Sequence, residues 1–399
     1  MDGVGGENNC VDEDLKRSLK DEDQFITLPK LDHIDYNKLG QSGLSNLGNT
    51  CYLNAALQCL SHTIPLTDYL VRGHYRQLLK KTIDTPATDI FAYYTALIVA
   101  LWSDNCIIVA KSFLKTFGDY FPNWIPYSQN DAEETIIFLL DQLHNALSYS
   151  VHPDHHMFNQ TNLTFPRISK QRTVNYCSNK AQFHWHQEYK NKNSIILDIF
   201  AGQEHHRLQC TYCSRTRHTF PPFKNIELSL NITNYGNPIQ IEDLIGLYYA
   251  KDQLDHENKW KCDRCEQPTR AYQKTTIWRC PKVLIITLKR FINNQYVSHK
   301  NNIMIEYPLR GLDLEEHVTG GIDTRSPWDD HNRQKYSTMY DLYAICCHQV
   351  ISATCGHYYS YCLNTDGCWY LFDDDVVNSV SIDDLITKDA YVLFYRQRN

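Results

Sequence analysis

The apolar spacing of this chain changes period once along its length, and that change limits the architectures open to it. From Leu39 to about Leu147 apolar residues recur mainly at helical intervals. Residues 148–192 are rich in His, Asn, Gln and Tyr and read as an irregular excursion with one helix around Ala181–Tyr189. Beyond it come short β-type runs: SIILDIF, TFPPFKNIELSL, KVLIITLKRF, LYAICC, HYYSYCL, CWYLF and AYVLFYR. Helices first and strands later predict an α+β architecture, a helical lobe against a mostly antiparallel sheet. Residues 1–38 are polar and acid-rich with little periodicity, and read as a disordered N-terminal extension.

Within the β-rich half, Cys210-Thr211-Tyr212-Cys213 and Cys262-Asp263-Arg264-Cys265 form two CxxC pairs separated by 48 residues. Four thiolates on two such turns make a closed tetrahedral zinc site, architectural rather than catalytic. The alternatives are a redox pair, which lacks a surrounding βαβ pattern, and a degenerate finger held by packing alone. All 15 cysteines are scattered and odd in number, and the N-terminus MDGVGGENNC has neither the basic nor the apolar part of an export signal. Free thiols and metal ligands are therefore expected over disulfides, and the cytosol or nucleus over the secretory route. The sequons at Asn159, Asn162 and Asn231 then carry no meaning. No run of about 18 apolar residues suggests a membrane span. The net charge, 39 − 46 = −7, argues against a nucleic-acid binder and suits a basic partner surface.

One cysteine has a different address. In GLSNLGNTCYLNAALQCL, Leu53, Ala56, Leu57 and Leu60 recur at helical spacing and place Cys51 in a first helical turn. There, free N–H groups and the positive end of the helix dipole favour a thiolate and can hold an oxyanion. Gly43 and Gly48 permit a tight bend, and Asn46 or Asn49 could add a side-chain amide donor. The competing reading is a packed core cysteine, as expected for Cys59. A nucleophile also needs a histidine from elsewhere.

The stretch CGHYYSYCLNTDGCWYLFDDDVV supplies one. Two aromatic-rich runs flank an Asp366-Gly367 turn. Pairing Leu363 with Cys368 sets His357 opposite Asp374, while a one-residue bulge would choose Asp373 instead. Either carboxylate would orient the ring as the third member of a catalytic triad. His348 is a second candidate, without an acid partner in the hairpin. In SQNDAEETIIFLLDQLHNAL, Ala132, Ile136, Leu139, Leu140, Leu143 and Leu147 make one apolar face. Asp131 with Glu134 resembles a capping box; Gln129 and Asp131 at the helix mouth could equally meet a substrate's backbone or an arginine.

Taken in order, these blocks, with DIFAGQEHHRLQCTYC and WKCDRCEQPTRAYQKTTIWRCPKVLIITLKRF, resemble the ubiquitin-specific proteases from about Leu39 to Arg398. The resemblance implies a papain-like cysteine deubiquitinase with a helical thumb (about 39–192), zinc-bearing β fingers (about 203–275) and an antiparallel β palm (about 193–202 and 276–399). It implies Cys51 as nucleophile, His357 as base and then acid, and Asp373 orienting the histidine, with Asp374 a helper. Asn46 would support the oxyanion. Gln129 and Asp131 would flank the channel for ubiquitin's tail, as would loops at about 293–302 and 351–356. Zn2+ would sit on Cys210, Cys213, Cys262 and Cys265. The partners implied are ubiquitin and ubiquitinated proteins, met by a monomer. Ala55, Asn130, Glu133, Thr135 and Thr287 depart from the usual pattern, and residues 148–180 and 319–336 look like insertions. Two other readings remain: a catalytically dead ubiquitin-binding scaffold, and a zinc-stabilised interaction module.

Overall fold

The computed structural model describes residues 39–79, 85–121, 127–150, 170–230, 238–294, 297–319, 337–352 and 355–398. The expected extension at 1–38 and almost all of the insertion near 319–336 lie outside them.

The helical periodicity of the first part becomes a layer built on Cys51–Ser61, Ile64–Val71, Pro86–Leu101 and Ala132–Leu147. Pro86–Leu101 begins at a capping box in which Thr85 and Thr88 exchange side-chain and backbone bonds, with Pro86 in the first turn, where no N–H is needed. Its apolar face and that of Ala132–Leu147 share one core with Leu53, Ala56, Leu57 and Leu60. That core continues into Tyr343, Ala344, Cys346, Tyr358, Val392 and Phe394 of the sheet, so the helices lie on the sheet face.

Among the described residues the main sheet has eight strands. Its order runs Val376–Val380, Trp369–Asp373, Cys355–Leu363, Met339–Ser352, Ala390–Gln397, Val283–Lys289 and Asn225–Ser229, with Arg310–Asp313 also paired to Met339–Ser352. All the neighbours are antiparallel except Asn225–Ser229 beside Val283–Lys289. A second apolar cluster, including Leu228, Leu244, Ile286, Leu312, Tyr340 and Leu393, fills the other face. Both faces are thus covered, and VLIITL reads as a continuous apolar run instead of alternating.

A separate five-stranded sheet joins Gly202–Cys210, Thr216–Thr219, Pro222–Phe223, Asp252–Leu254 and Ala271–Arg279. The sequence reading placed all of 203–275 in one zinc-bearing unit. In the structure, Asn225–Ser229 and the helix Ile241–Tyr248 instead join the main sheet and its second core. Another expectation needs correcting: SIILDIF is not a strand but the helix Ile195–Phe200. The Ser194 hydroxyl accepts from Leu197 N at 3.4 Å, and this cap starts a helix that the apolar run alone leaves ambiguous. The helix expected at Ala181–Tyr189 is longer, spanning Lys170–Glu188.

Candidate active site

Cys51 is the first residue of its helix, as its spacing predicts. The preceding Thr50 does not cap that helix; its hydroxyl accepts from Leu47 N at 2.9 Å instead. The first helical turn therefore keeps N–H groups that no Thr50 side chain satisfies. The bend before it needs positive φ at Gly48 (104°) and Asn49 (56°). A side chain at Gly48 would also strike the Tyr127 ring, 2.7 Å from where its Cβ would sit. Gly43 works differently from expectation. It makes no turn; its bare Cα lets the backbone of Asp375 approach, an added Cβ lying 2.5 Å from that carbonyl oxygen.

That approach ties the cysteine loop to the aspartate turn. Leu44 N donates to Asp374 O at 2.8 Å. The Asp374 carboxylate accepts from Asn46 Nδ2 at 2.9 Å and from Asn54 Nδ2 at 2.8 Å. Asn46 Oδ1 accepts from Gly48 N and Thr50 N at 3.0 and 3.2 Å, so its NH2 must face Asp374. Asn49 Nδ2 is turned away, onto Tyr127 O at 2.6 Å.

His357 completes the group. Its Nε2 lies 2.5 Å from Asp373 Oδ1, and the Cys51 thiol is the largest influence on its ring. The imidazole is pushed up to about 9, first by the bond to Cys51 and then, against burial, by Asp373. Its imidazolium is the favoured form at neutral pH.

The choice of Asp373 over Asp374 corrects the expected register. The turn holds three residues, with Asn364 N on Cys368 O at 2.9 Å and Gly367 at φ 84°. Leu363 therefore pairs with Trp369, and Ser360 with Phe372. Extending this ladder one step puts Asp373 opposite Tyr359, on the face of His357 and diagonal to it. Asp374 takes positive φ (53°) and points the other way, to Asn46 and Asn54.

The remaining candidates sit around this centre. Gln129 bridges to the residue before the histidine, Nε2 donating to Gly356 O at 2.5 Å and Oε1 accepting from Gly356 N at 3.3 Å. Asp131 caps Ala132–Leu147 through Glu133 N (2.7 Å) and Glu134 N (3.4 Å) and accepts from Tyr391 Oη at 2.8 Å. Beside it burial, then the charge of Asp131, pushes Glu133 up to about 7, although Asn225 donates to it at 2.8 Å. His348 is buried against Phe291 and Tyr358 and held neutral, at about 4, by that burial. Cys59 is buried completely, its thiol pushed well up by desolvation.

Sequence reasoning missed Asn54, Tyr391 and Glu133. Asn54 carried a signal: with Gln58 it is a polar i, i+4 pair inside an otherwise apolar helix. Both are buried and hold the preceding segment, Gln58 Nε2 donating to Ser42 O at 2.8 Å.

At the far end of the five-stranded sheet the two CxxC pairs meet. Each folds into the same knuckle: Ser214 N donates to Cys210 O and Glu266 N to Cys262 O, at 3.1 and 2.8 Å. Ser214 and Glu266 both take positive φ, 56° and 55°. The Sγ atoms lie 3.9 Å apart for Cys210–Cys265 and 3.6 Å for Cys213–Cys262. A tetrahedral Zn–S bond of about 2.3 Å requires S–S separations of about 3.8 Å, so the four thiols fit a zinc ion.

The family model described as "Ubiquitin carboxyl-terminal hydrolase" matches residues 42–395. The chain is 33% identical over 361 residues to "Ubiquitin carboxyl-terminal hydrolase 2" of Bos taurus, covering 89% of this chain and 55% of that protein. To "Ubiquitin carboxyl-terminal hydrolase 21" of Homo sapiens it is 31% identical over 375 residues, covering 90% and 61%. It thus spans little more than half the length of these relatives. The solved "SAGA Ubp8/Sgf11/Sus1/Sgf73 DUB module bound to ubiquitin aldehyde" contains a chain with TM-score 0.65 and 22% identity, matched over 92% of this chain and 71% of that one. The architecture is accordingly the papain-like α+β fold of the ubiquitin-specific proteases.

Proposed function

The chain belongs to the ubiquitin carboxyl-terminal hydrolase family, and from that premise we propose that it is a cysteine-type deubiquitinase, cleaving the isopeptide or peptide bond after ubiquitin's C-terminal glycine. One observation carries the reading: His357, held 2.5 Å from the Asp373 carboxylate, takes its largest shift from the Cys51 thiol, which stands at a helix start.

Each group has a task. Cys51 reacts as the thiolate partner of the already protonated His357 ring, and its sulfur attacks the terminal glycine carbonyl carbon. The carbonyl electrons move onto oxygen, which the Cys51 amide and the remaining Asn46 Nδ2 hydrogen hold. Collapse breaks the C–N bond, and His357 protonates the departing lysine amine. Water then attacks the thioester while His357 takes one proton, releasing ubiquitin's carboxylate and the Cys51 thiolate, the second proton passing to solvent. Asp373 keeps the ring's tautomer and direction throughout. Asp374 positions Asn46 and, through Asn54, the start of the Cys51 helix.

Gln129 and Asp131 flank the passage for ubiquitin's tail in this reading, and the net charge of −7 complements a basic ubiquitin surface. Zn2+ on Cys210, Cys213, Cys262 and Cys265 would pin two distant loops and take no part in the chemistry. A free thiol nucleophile and a thiolate cluster fit the reducing cytosol or nucleus.

The test is a ubiquitin carrying a C-terminal electrophile. The reading expects a covalent adduct mapped to Cys51. Binding without an adduct would identify a scaffold, and neither binding nor adduct an interaction module; both overturn the proposal.

A further inference from the structure

A second group of soft ligands lies where the helix Lys170–Glu188 meets the same five-stranded sheet, away from the four-cysteine cluster. The Cys177 Sγ, one His205 ring nitrogen and one His218 ring nitrogen all lie within 4.8 Å of one another. His205 Nε2 is 2.7 Å from His218 Nδ1, and Cys177 Sγ is 4.0 Å from that same Nδ1. The geometry points to a second zinc-class metal site, Cys177–His205–His218, that fastens the helix Lys170–Glu188 to the sheet.

The fold supplies the convergence. His205 lies on Gly202–Cys210 and His218 on Thr216–Thr219; Arg207 pairs with His218, so the two histidines are diagonal neighbours on one face. Gln203, two residues before His205 and on the same face, donates to Ala181 O at 2.9 Å and seats the helix there. Cys177, one helical turn before Ala181, is thereby brought over the histidines. The cysteine is buried and both histidines are half-buried, so the ligand atoms converge beneath the helix.

The donors suit a borderline-soft cation. One thiolate and two imidazoles leave a fourth tetrahedral position for water. With Zn–N about 2.0 Å and Zn–S about 2.3 Å, the N–N separation should be about 3.3 Å and N–S about 3.6 Å. Modest side-chain rotations, opening the histidine pair and bringing the sulfur in, reach that geometry. The 2.7 Å contact between the two imidazole nitrogens is an N–H···N hydrogen bond in which one ring holds its proton there. Metal binding replaces that bond, because both lone pairs turn to the ion. One proton leaves, from the Cys177 thiol, and both rings stay neutral.

The site also gives the helix Lys170–Glu188 an anchor. The buried apolar cluster beneath this helix holds only Cys177, Ala181, Phe220 and Trp278 among the described residues. A core that small orders little chain unaided, and a metal is a usual supplement.

The test is metal counting on the full-length chain purified with zinc. Two equivalents per chain are expected. Cys177→Ala should lose one and keep the other, and Cys262→Ser should do the reverse. His218→Gln guards against misfolding of the first variant and should also lose one. A single equivalent that Cys262→Ser removes and Cys177→Ala leaves untouched overturns the proposal, as does Cys177 alkylation at the same rate with and without zinc. The protease reading is unaffected by either outcome, since adduct formation at Cys51 is scored separately.

Discussion

Two thiol-bearing regions of this chain spend the same functional group in opposite ways. At Cys51 a single sulfur stands at an uncapped helix start beside one imidazole. At Cys210, Cys213, Cys262 and Cys265, four sulfurs face one another at the ends of two matching knuckles. The first arrangement leaves its sulfur free to act as a nucleophile; the second sets four sulfurs at the spacing of a tetrahedral zinc site, where one cation would saturate them all. Their supports differ as well. The Cys51 loop is held by amide side chains on a carboxylate, Asn46 and Asn54 on Asp374. The knuckles are held by backbone turns, with Thr269 Oγ1 3.3 Å from Cys210 Sγ and, with the amides of Cys213 and Tyr212, lowering that thiol from its ordinary value. The lesson is that a cysteine's neighbours, not its burial, decide its chemistry: Cys51 and Cys210 are both buried.

Substitutions should separate the two regions cleanly. Cys51→Ala should cost about 10⁴-fold or more in hydrolysis of a ubiquitin conjugate while leaving Tm nearly unchanged. Asp373→Asn should lower kcat by roughly 10²–10⁴-fold, by loosening the ring and its tautomer. Asn46→Ala should lower kcat by about 10²-fold with a smaller change in KM, as loss of an oxyanion donor does. Cys262→Ser should invert the pattern. About 3 kcal/mol of lost stability would lower Tm by roughly 4 °C in a chain of this length, and activity measured well below Tm should fall much less. A Cys262→Ser protein as stable as the parent, or a Cys51→Ala protein that still hydrolyses conjugates, would break the contrast.

Much of this was legible in the sequence because it rests on local patterns. Helical spacing after Thr50 located Cys51, and CxxC spacing located both knuckles. The misses were non-local or a matter of one residue. The hairpin count alone leaves Asp373 and Asp374 open, because a three-residue turn and a four-residue turn share the same Asp-Gly signal and one residue of register exchanges the faces. SIILDIF reads as a strand because so short an apolar stretch shows no clear period; only Ser194 distinguishes it. Asn54 and Tyr391 could not be assigned partners, since Asp374 and Asp131 lie 320 and 260 residues away. The strand Asn225–Ser229 left its sequence neighbours for the main sheet, and nothing in its composition marks that choice.

The central claim is that His357 is held as an imidazolium between the Cys51 sulfur and the Asp373 carboxylate. Its folded pKa, about 9, lies above the ordinary 6.5, so the protonated ring is stabilised below 6.5 and that contribution is lost as pH rises through 9. The direct measurement is the NMR titration of His357 in the parent and in Cys51→Ala. The account predicts a midpoint near pH 9 in the parent and a fall toward the ordinary value once the sulfur is gone, because the bond to Cys51 is its largest cause. A midpoint near the ordinary value in both proteins would contradict it.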